Sequence, residues 1–142
     1  MPVPAAIDVI SSEELPIREE SHVIQLTSQI RQQASGIGMS LLDQTKLSTA
    51  ASELARNILV HGGGGKVQLE CIRNTQKTGI RLLFTDHGPG IANMEQAMQS
   101  GFSTGMGMGL GLPGAKQLAD EFYLTSVVGE GTTVTILKWV DD

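Results

Sequence analysis

Glu53 and Asn57 stand four positions apart in a stretch whose apolar residues recur at helical spacing, so a carboxylate and a carboxamide share one face about a turn apart. Oxygen donors so placed suit a hard cation, and the carboxylate can take a proton from a hydroxyl. A solvated helix edge would use the same pair. Asp86 ends a strand-like run and precedes Gly88 and Gly90. An aspartate at a strand end can accept hydrogen bonds from the exocyclic amine of a base, and it can equally cap an Asx-type turn. The third element is the glycine-dense run GFSTGMGMGLGLPG at 101–114, which passes through Pro113 into an amphipathic stretch. Glycines let backbone approach an anion closely, and a helix start adds unpaired N–H groups and the positive end of its dipole. Such a run fits phosphate as well as it fits a plain flexible loop.

The elements that must position these residues follow from periodicity. Two short extended stretches, 6–10 (AIDVI) and 14–18 (ELPIR), open the chain, and Pro16 suits the second to a sheet edge. A first helix over about 20–34 is marked by Val23, Leu26, Thr27 and Ile30, with Gly36 and Gly38 as its stop. The strongest helix covers about 40–60, with Leu47, Ala50, Ala51, Leu54 and Ile58 as its apolar stripe, Ser40 and Asp43 at its start and HGGGG at its end. Residues 66–73 and 79–85 form a hairpin around a polar turn, and a short helix at 93–99 precedes the glycine run. A helix over 115–122 and a second hairpin, 123–128 and 132–139 around GEG, complete the order. Strands and helices in separate runs predict an α+β two-layer sandwich over a single domain, 1–142, with helices on one face of a mixed sheet.

Composition narrows the partners. A hydrophobic fraction of 40% with 18% charged residues is that of a globular chain, and no apolar run reaches the roughly 20 residues that span a bilayer. The net charge is −5 without a clustered basic stretch, which argues against nucleic acid and against an anionic membrane. The N-terminus does not resemble a signal peptide, and Cys71 has no second cysteine for a disulfide, so the expected location is the cytoplasm. No Cys/His cluster suggests zinc.

Four short boxes, ELARN at 53–57, DHGPGI at 86–91, GMGLGL at 107–112 and GEGT at 129–132, together resemble the ordered boxes of the GHKL ATP-binding superfamily. Within it, the pattern GFST, GLPGAKQLADEF and a final KW strand is similar to the RsbT-type serine kinases and anti-sigma factors of bacterial partner-switching systems. The resemblance implies a Bergerat-type fold and ATP with Mg²⁺ as cofactors. It implies that Asn57 coordinates the metal, that Glu53 is the base accepting the proton of an attacking serine hydroxyl, and that Asp86 reads adenine. Gly88 and Gly90 would lie close under the nucleotide, and Thr132 would help hold the base. Gly105, Gly107, Gly109, Leu110 and Gly111 match the lid and its hinge, with Ser103 and Thr104 either touching phosphate or shaping the lid. The implied partner is a STAS-domain antagonist protein as substrate, with a PP2C-type phosphatase or a sigma factor as further partners. His22, His61 and His87 are read as incidental, His87 as a turn neighbour facing solvent.

Overall fold

The computed structural model describes residues 6–91, 98 and 111–140. Its elements, in order, are β1 (Asp8–Ile17), α1 (Glu20–Gly36), α2 (Leu41–Asn57), a π-helical turn (Ile58–Gly62), β2 (Gly65–Arg73), β3 (Thr78–Asp86), α3 (Gly111–Leu118), β4 (Glu121–Val127) and β5 (Gly131–Trp139). The two opening stretches are thus one strand, which absorbs its irregularity as a bulge between Val9 and Ser11. Pro16 sits in that strand at the sheet edge, where its missing N–H costs no ladder bond.

The five strands pair in the order β1-β2-β3-β5-β4. Every described pairing is antiparallel, which corrects the expected mixed sheet. The reason is topological. β3 and β4 run in the same direction, joined through α3, but β5 folds back between them and takes the hydrogen bonds that a parallel neighbour would have used. The helix expected at 115–122 is also displaced, to Gly111–Leu118. Pro113 falls in its first turn, where a missing N–H is tolerated, and the Asp120 N–H already donates to the Leu137 carbonyl at 2.9 Å, so the chain has joined the sheet by then.

One face of the sheet carries the core. Val67 and Leu69 from β2, Ile80, Leu82 and Phe84 from β3, and Val134 and Ile136 from β5 meet Val23, Leu26 and Ile30 from α1 and Leu47, Ala50, Ala51 and Leu54 from α2. Burying each large member contributes about 1.5–3 kcal/mol. Both α1 and α2 present the stripes that their periodicity predicts, and the α2 N-cap is Ser40, whose hydroxyl accepts from the Asp43 N–H at 3.1 Å. Burial pushes the Cys71 thiol up, which favours its protonated form.

At the end of β5 remote from Asp86, Lys138 is buried and holds three elements together. Its Nζ donates to the Leu118 carbonyl and to Asp120 Oδ1, both at 3.2 Å, and lies 3.8 Å from Asp43 Oδ1 in the first turn of α2. The helix-free face carries the buried Ile72 and Leu137 beside cross-strand ion pairs, Arg81 with Glu70 at 2.6 Å and Lys66 with Glu14 at 3.1 Å.

Candidate functional site

Register brings the chemistry-bearing residues into one row. Across the strands, Ile17 faces Gly65, Gly65 faces Asp86, Asp86 faces Thr132 and Thr132 faces Ser126. Alternation puts this row on the helix side, one step beyond the buried Phe84 and Val134. Where the core ends, three polar side chains from β3, β5 and β4 therefore stand side by side.

Asp86 is half-buried, and both of its hydrogen bonds fall on Oδ1, which accepts from the Gly88 N–H at 2.9 Å and the Thr132 N–H at 3.3 Å. That fixes the carboxylate, and among the described residues Oδ2 receives no donor. Glycine 62 lies against it: a Cβ there would stand 2.7 Å from Asp86 Cβ and Cγ and 2.9 Å from Oδ2. The π-helical turn is what delivers Gly62 to this spot, because its widened turn carries the chain off the end of α2 and across to β3.

Asn57 closes α2 immediately before that π-helical turn, Glu53 lies one turn earlier, and both are half-buried. Among the described residues neither side chain has a hydrogen-bond or ion-pair partner. One continuous segment, 53–62, thus joins an uncommitted carboxylate and carboxamide to the backbone that touches Asp86.

The turn after Asp86 is fastened to the β4–β5 hairpin. The Gly129 N–H donates to the Pro89 carbonyl at 2.8 Å, and the Ile91 N–H donates to Ser126 Oγ at 2.7 Å. Gly88 and Gly90 are needed here by the chain itself. A Cβ on Gly88 would fall 2.7 Å from Gly62 Cα, and Gly90, at φ +77°, would place one 2.5 Å from the Val127 carbonyl oxygen. Gly131 is the most constrained, with φ +130° and a hypothetical Cβ 2.1 Å from the Asp86 carbonyl oxygen. Gly131→Ala is expected to cost about 3 kcal/mol, read as a lowered urea midpoint at unchanged slope, since β3 and β5 must separate to admit the methyl. A midpoint equal to that of the natural chain would show that the strands yield without penalty.

A cleft of about 580 Å³ lies over β1, β2 and the end of β3, lined by Glu14, Arg18, Gly65, Lys66, Thr85 and His87 among others. His87 is exposed there, away from the Asp86 row, which agrees with its reading as a turn neighbour. His22 serves locally, its Nδ1 accepting from the Arg18 N–H at 3.0 Å.

A model of the family described as "Histidine kinase-, DNA gyrase B-, and HSP90-like ATPase" matches residues 42–141, a span that holds the whole row from Gly65 to Ser126 as well as segment 53–62. The chain belongs to this ATPase family. Within the family it is 44% identical over 110 residues to the serine/threonine-protein kinase RsbT of Bacillus subtilis (strain 168), covering 78% of this chain and 83% of that protein. It is 33% identical over 106 residues to the anti-sigma F factor of Anoxybacillus flavithermus, covering 70% of this chain and 71% of the other. Among solved structures, the RsbU and RsbW domains of a Mycobacterium tuberculosis protein superpose with a TM-score of 0.62 at 18% identity, over 93% of this chain and 33% of that longer one. The mycobacterial sensor histidine kinase MprB gives a TM-score of 0.54 at 20% identity, over 92% of this chain and 98% of that one, so the ATPase-family fold is shared with both.

Of the residues expected at an ATPase-family site, the structure brings Asp86, Gly88, Gly90 and Thr132 together and places Glu53 and Asn57 at the head of the segment that reaches them. Gly111 begins α3 with φ +63°. Ser103, Thr104, Gly105, Gly107, Gly109 and Leu110, and most of the short helix expected at 93–99, lie outside the described residues. Two contributors have no motif of their own. Gly62 is one of four consecutive glycines and looks like any helix stop, and Ser126 sits in an ordinary strand pattern. Only the pairing of β4 with β5 could have pointed to Ser126, had its register been counted back from the GEG turn.

Proposed function

We propose that the chain is an RsbT-like serine/threonine protein kinase that uses Mg-ATP to phosphorylate a small STAS-domain antagonist protein in the cytoplasm of a partner-switching system. The observation that carries this reading is the likeness to RsbT, 44% identical over 83% of that protein. ATP binding follows from the family; the residue roles are assigned by chemistry. Asp86 Oδ2, without a donor among the described residues, accepts from the adenine amine beside Thr132. Asn57 would hold Mg²⁺ through its side-chain oxygen, and Mg²⁺ supplies charge neutralisation for the phosphates.

Glu53, one turn earlier on the same face, accepts the proton of the attacking serine hydroxyl as its oxygen bonds to the γ-phosphorus and the bond to the bridging oxygen breaks, leaving ADP. Two features fit this set to the group: an uncommitted carboxylate–carboxamide pair on one helix face, and a carboxylate oriented by two backbone N–H donors with one oxygen to spare. The test is incubation with γ-labelled ATP and a STAS-domain protein. Label on a serine or threonine of that protein is expected, and the reading fails if ATP is bound and turned over with no label ever reaching it.

A second reading is favoured by the likeness to anti-sigma F factors. In it the same site phosphorylates an anti-anti-sigma protein while another surface sequesters a sigma factor. Recovery of a sigma subunit from cell extract on immobilised chain would select it over a kinase that works by binding and activating a PP2C-type phosphatase.

A further inference from the structure

We infer that Ser126 is a specificity-determining residue, acting through Thr132 to keep the base-reading end of the site an acceptor of hydrogen bonds and so to favour a 6-amino purine over a 6-oxo purine. The inference rests on the reading of Asp86 and Thr132 as that end.

The argument is a count of protons and lone pairs. Ser126 Oγ has one proton to donate and two lone pairs. The Ile91 N–H, which can only donate, occupies one lone pair at 2.7 Å. The Gly131 carbonyl, which can only accept, lies 3.2 Å away, and Thr132 Oγ1, which can do either, lies 2.9 Å away. If the Ser126 proton goes to Gly131, the second lone pair is filled by the Thr132 hydroxyl, and Ser126 makes all three of its bonds. If the proton goes to Thr132 instead, the Gly131 carbonyl loses its bond and Ser126 makes two. The first arrangement wins by one hydrogen bond.

Its consequence falls on Thr132. With its proton committed to Ser126, Thr132 offers only lone pairs, and it stands beside Asp86, to which its own N–H is bonded at 3.3 Å. Two acceptors side by side fit a primary amine, which carries two protons, and reject a carbonyl oxygen, which carries none. A site that binds hydrogen-bond donors discriminates strongly because a mismatched ligand leaves its polar groups unpaired. Ser126 makes no contact with the base in this scheme. It is a positioning residue, set in the row by the register of β4 on β5.

The experiment compares dissociation constants for ATP and ITP, which differ in the 6-amino and 6-oxo groups, by competition against a fluorescent ATP analogue. Ser126→Ala frees the Thr132 hydroxyl to donate, so the ATP-over-ITP ratio is expected to fall about tenfold, the size of one hydrogen bond, chiefly through tighter ITP binding. Ser126→Thr keeps the hydroxyl and should restore the ratio. In a Thr132→Val background, Ser126→Ala should leave the ratio unchanged, because the group it acts through is gone. A ratio unaltered by Ser126→Ala, or affinities for both nucleotides falling by the same factor, would overturn the inference and leave only a structural link from β4 to Ile91. If instead Asp86→Asn binds ATP as well as the natural chain, the base-reading assignment itself fails, whatever Ser126 does. Should Ser126→Ala not fold, the Ser126→Thr and Ser126→Cys pair carries the same comparison, since a thiol is a weak acceptor and should lower the ratio where threonine does not.

Discussion

Glu53→Gln lowers phosphoryl transfer to the protein substrate by about a hundred- to ten-thousand-fold while ATP affinity stays within about threefold; this is the largest effect expected of any single substitution in the chain. Glutamine keeps the shape and helix propensity of glutamate, so α2 and its apolar face are unaffected. What it removes is the capacity to take the serine proton. The split between chemistry and binding is the informative part. Glu53 bonds no described residue, so its loss should not disturb the fold, and it lies a full turn before Asn57, the residue assigned to the metal. A defect confined to turnover is what a base predicts. A rise in the ATP dissociation constant equal to the loss in transfer would mean that Glu53 serves the metal or the phosphates, and undiminished transfer would remove it from the mechanism. Single-turnover label transfer, beside equilibrium binding of a fluorescent nucleotide, measures both halves.

Asp86→Asn is the second, with ATP affinity expected to fall by about a hundredfold or more. The substitution is close to surgical. The Gly88 and Thr132 N–H groups both point at Oδ1, so an asparagine turns its carbonyl toward them and keeps those bonds. Its amide nitrogen then replaces Oδ2, presenting protons to an amine that also presents protons. The side chain has little room to swing aside, because Gly62 lies against its Cβ and Cγ. Stability should change by about 1 kcal/mol, that of trading charged for neutral acceptors in two part-buried bonds. Thermal melting separates the two quantities. Preserved melting with lost nucleotide binding supports the base-reading role, whereas full ATP affinity in a folded Asp86→Asn chain would make Asp86 a turn residue only.

Both experiments depend on residues that were legible without a structure, and the reason is physical. A four-residue interval on an amphipathic helix fixes a shared face wherever the helix lies, so Glu53 and Asn57 follow from local periodicity alone. A serine three residues before Asp43 likewise announces its own cap, and the Ser40 bond is found as expected. The stripes of α1 and α2, the 66–73/79–85 hairpin and the edge position of Pro16 are also local properties. The family boxes carry more, because their order survives even where each is weak.

What lies between elements was not legible. That β5 inserts between β3 and β4, turning an expected mixed sheet antiparallel, depends on which edge the second hairpin meets, and no interval in the sequence encodes it. The same choice sets Thr132 opposite Asp86 and Ser126 opposite Thr132. Gly88 and Gly90 could be read as room for a ligand, yet the atoms that would strike their Cβ positions belong to Gly62 and Val127, partners distant in sequence and brought near only by folding. The sequence by itself determined α1, α2, the 66–73/79–85 hairpin and Glu53, Asn57 and Asp86 as groups able to do chemistry, because those are properties of short intervals. Tertiary structure alone decided which of them share a surface, because strand order and register are fixed by contacts between segments that hold no information about one another until they pack.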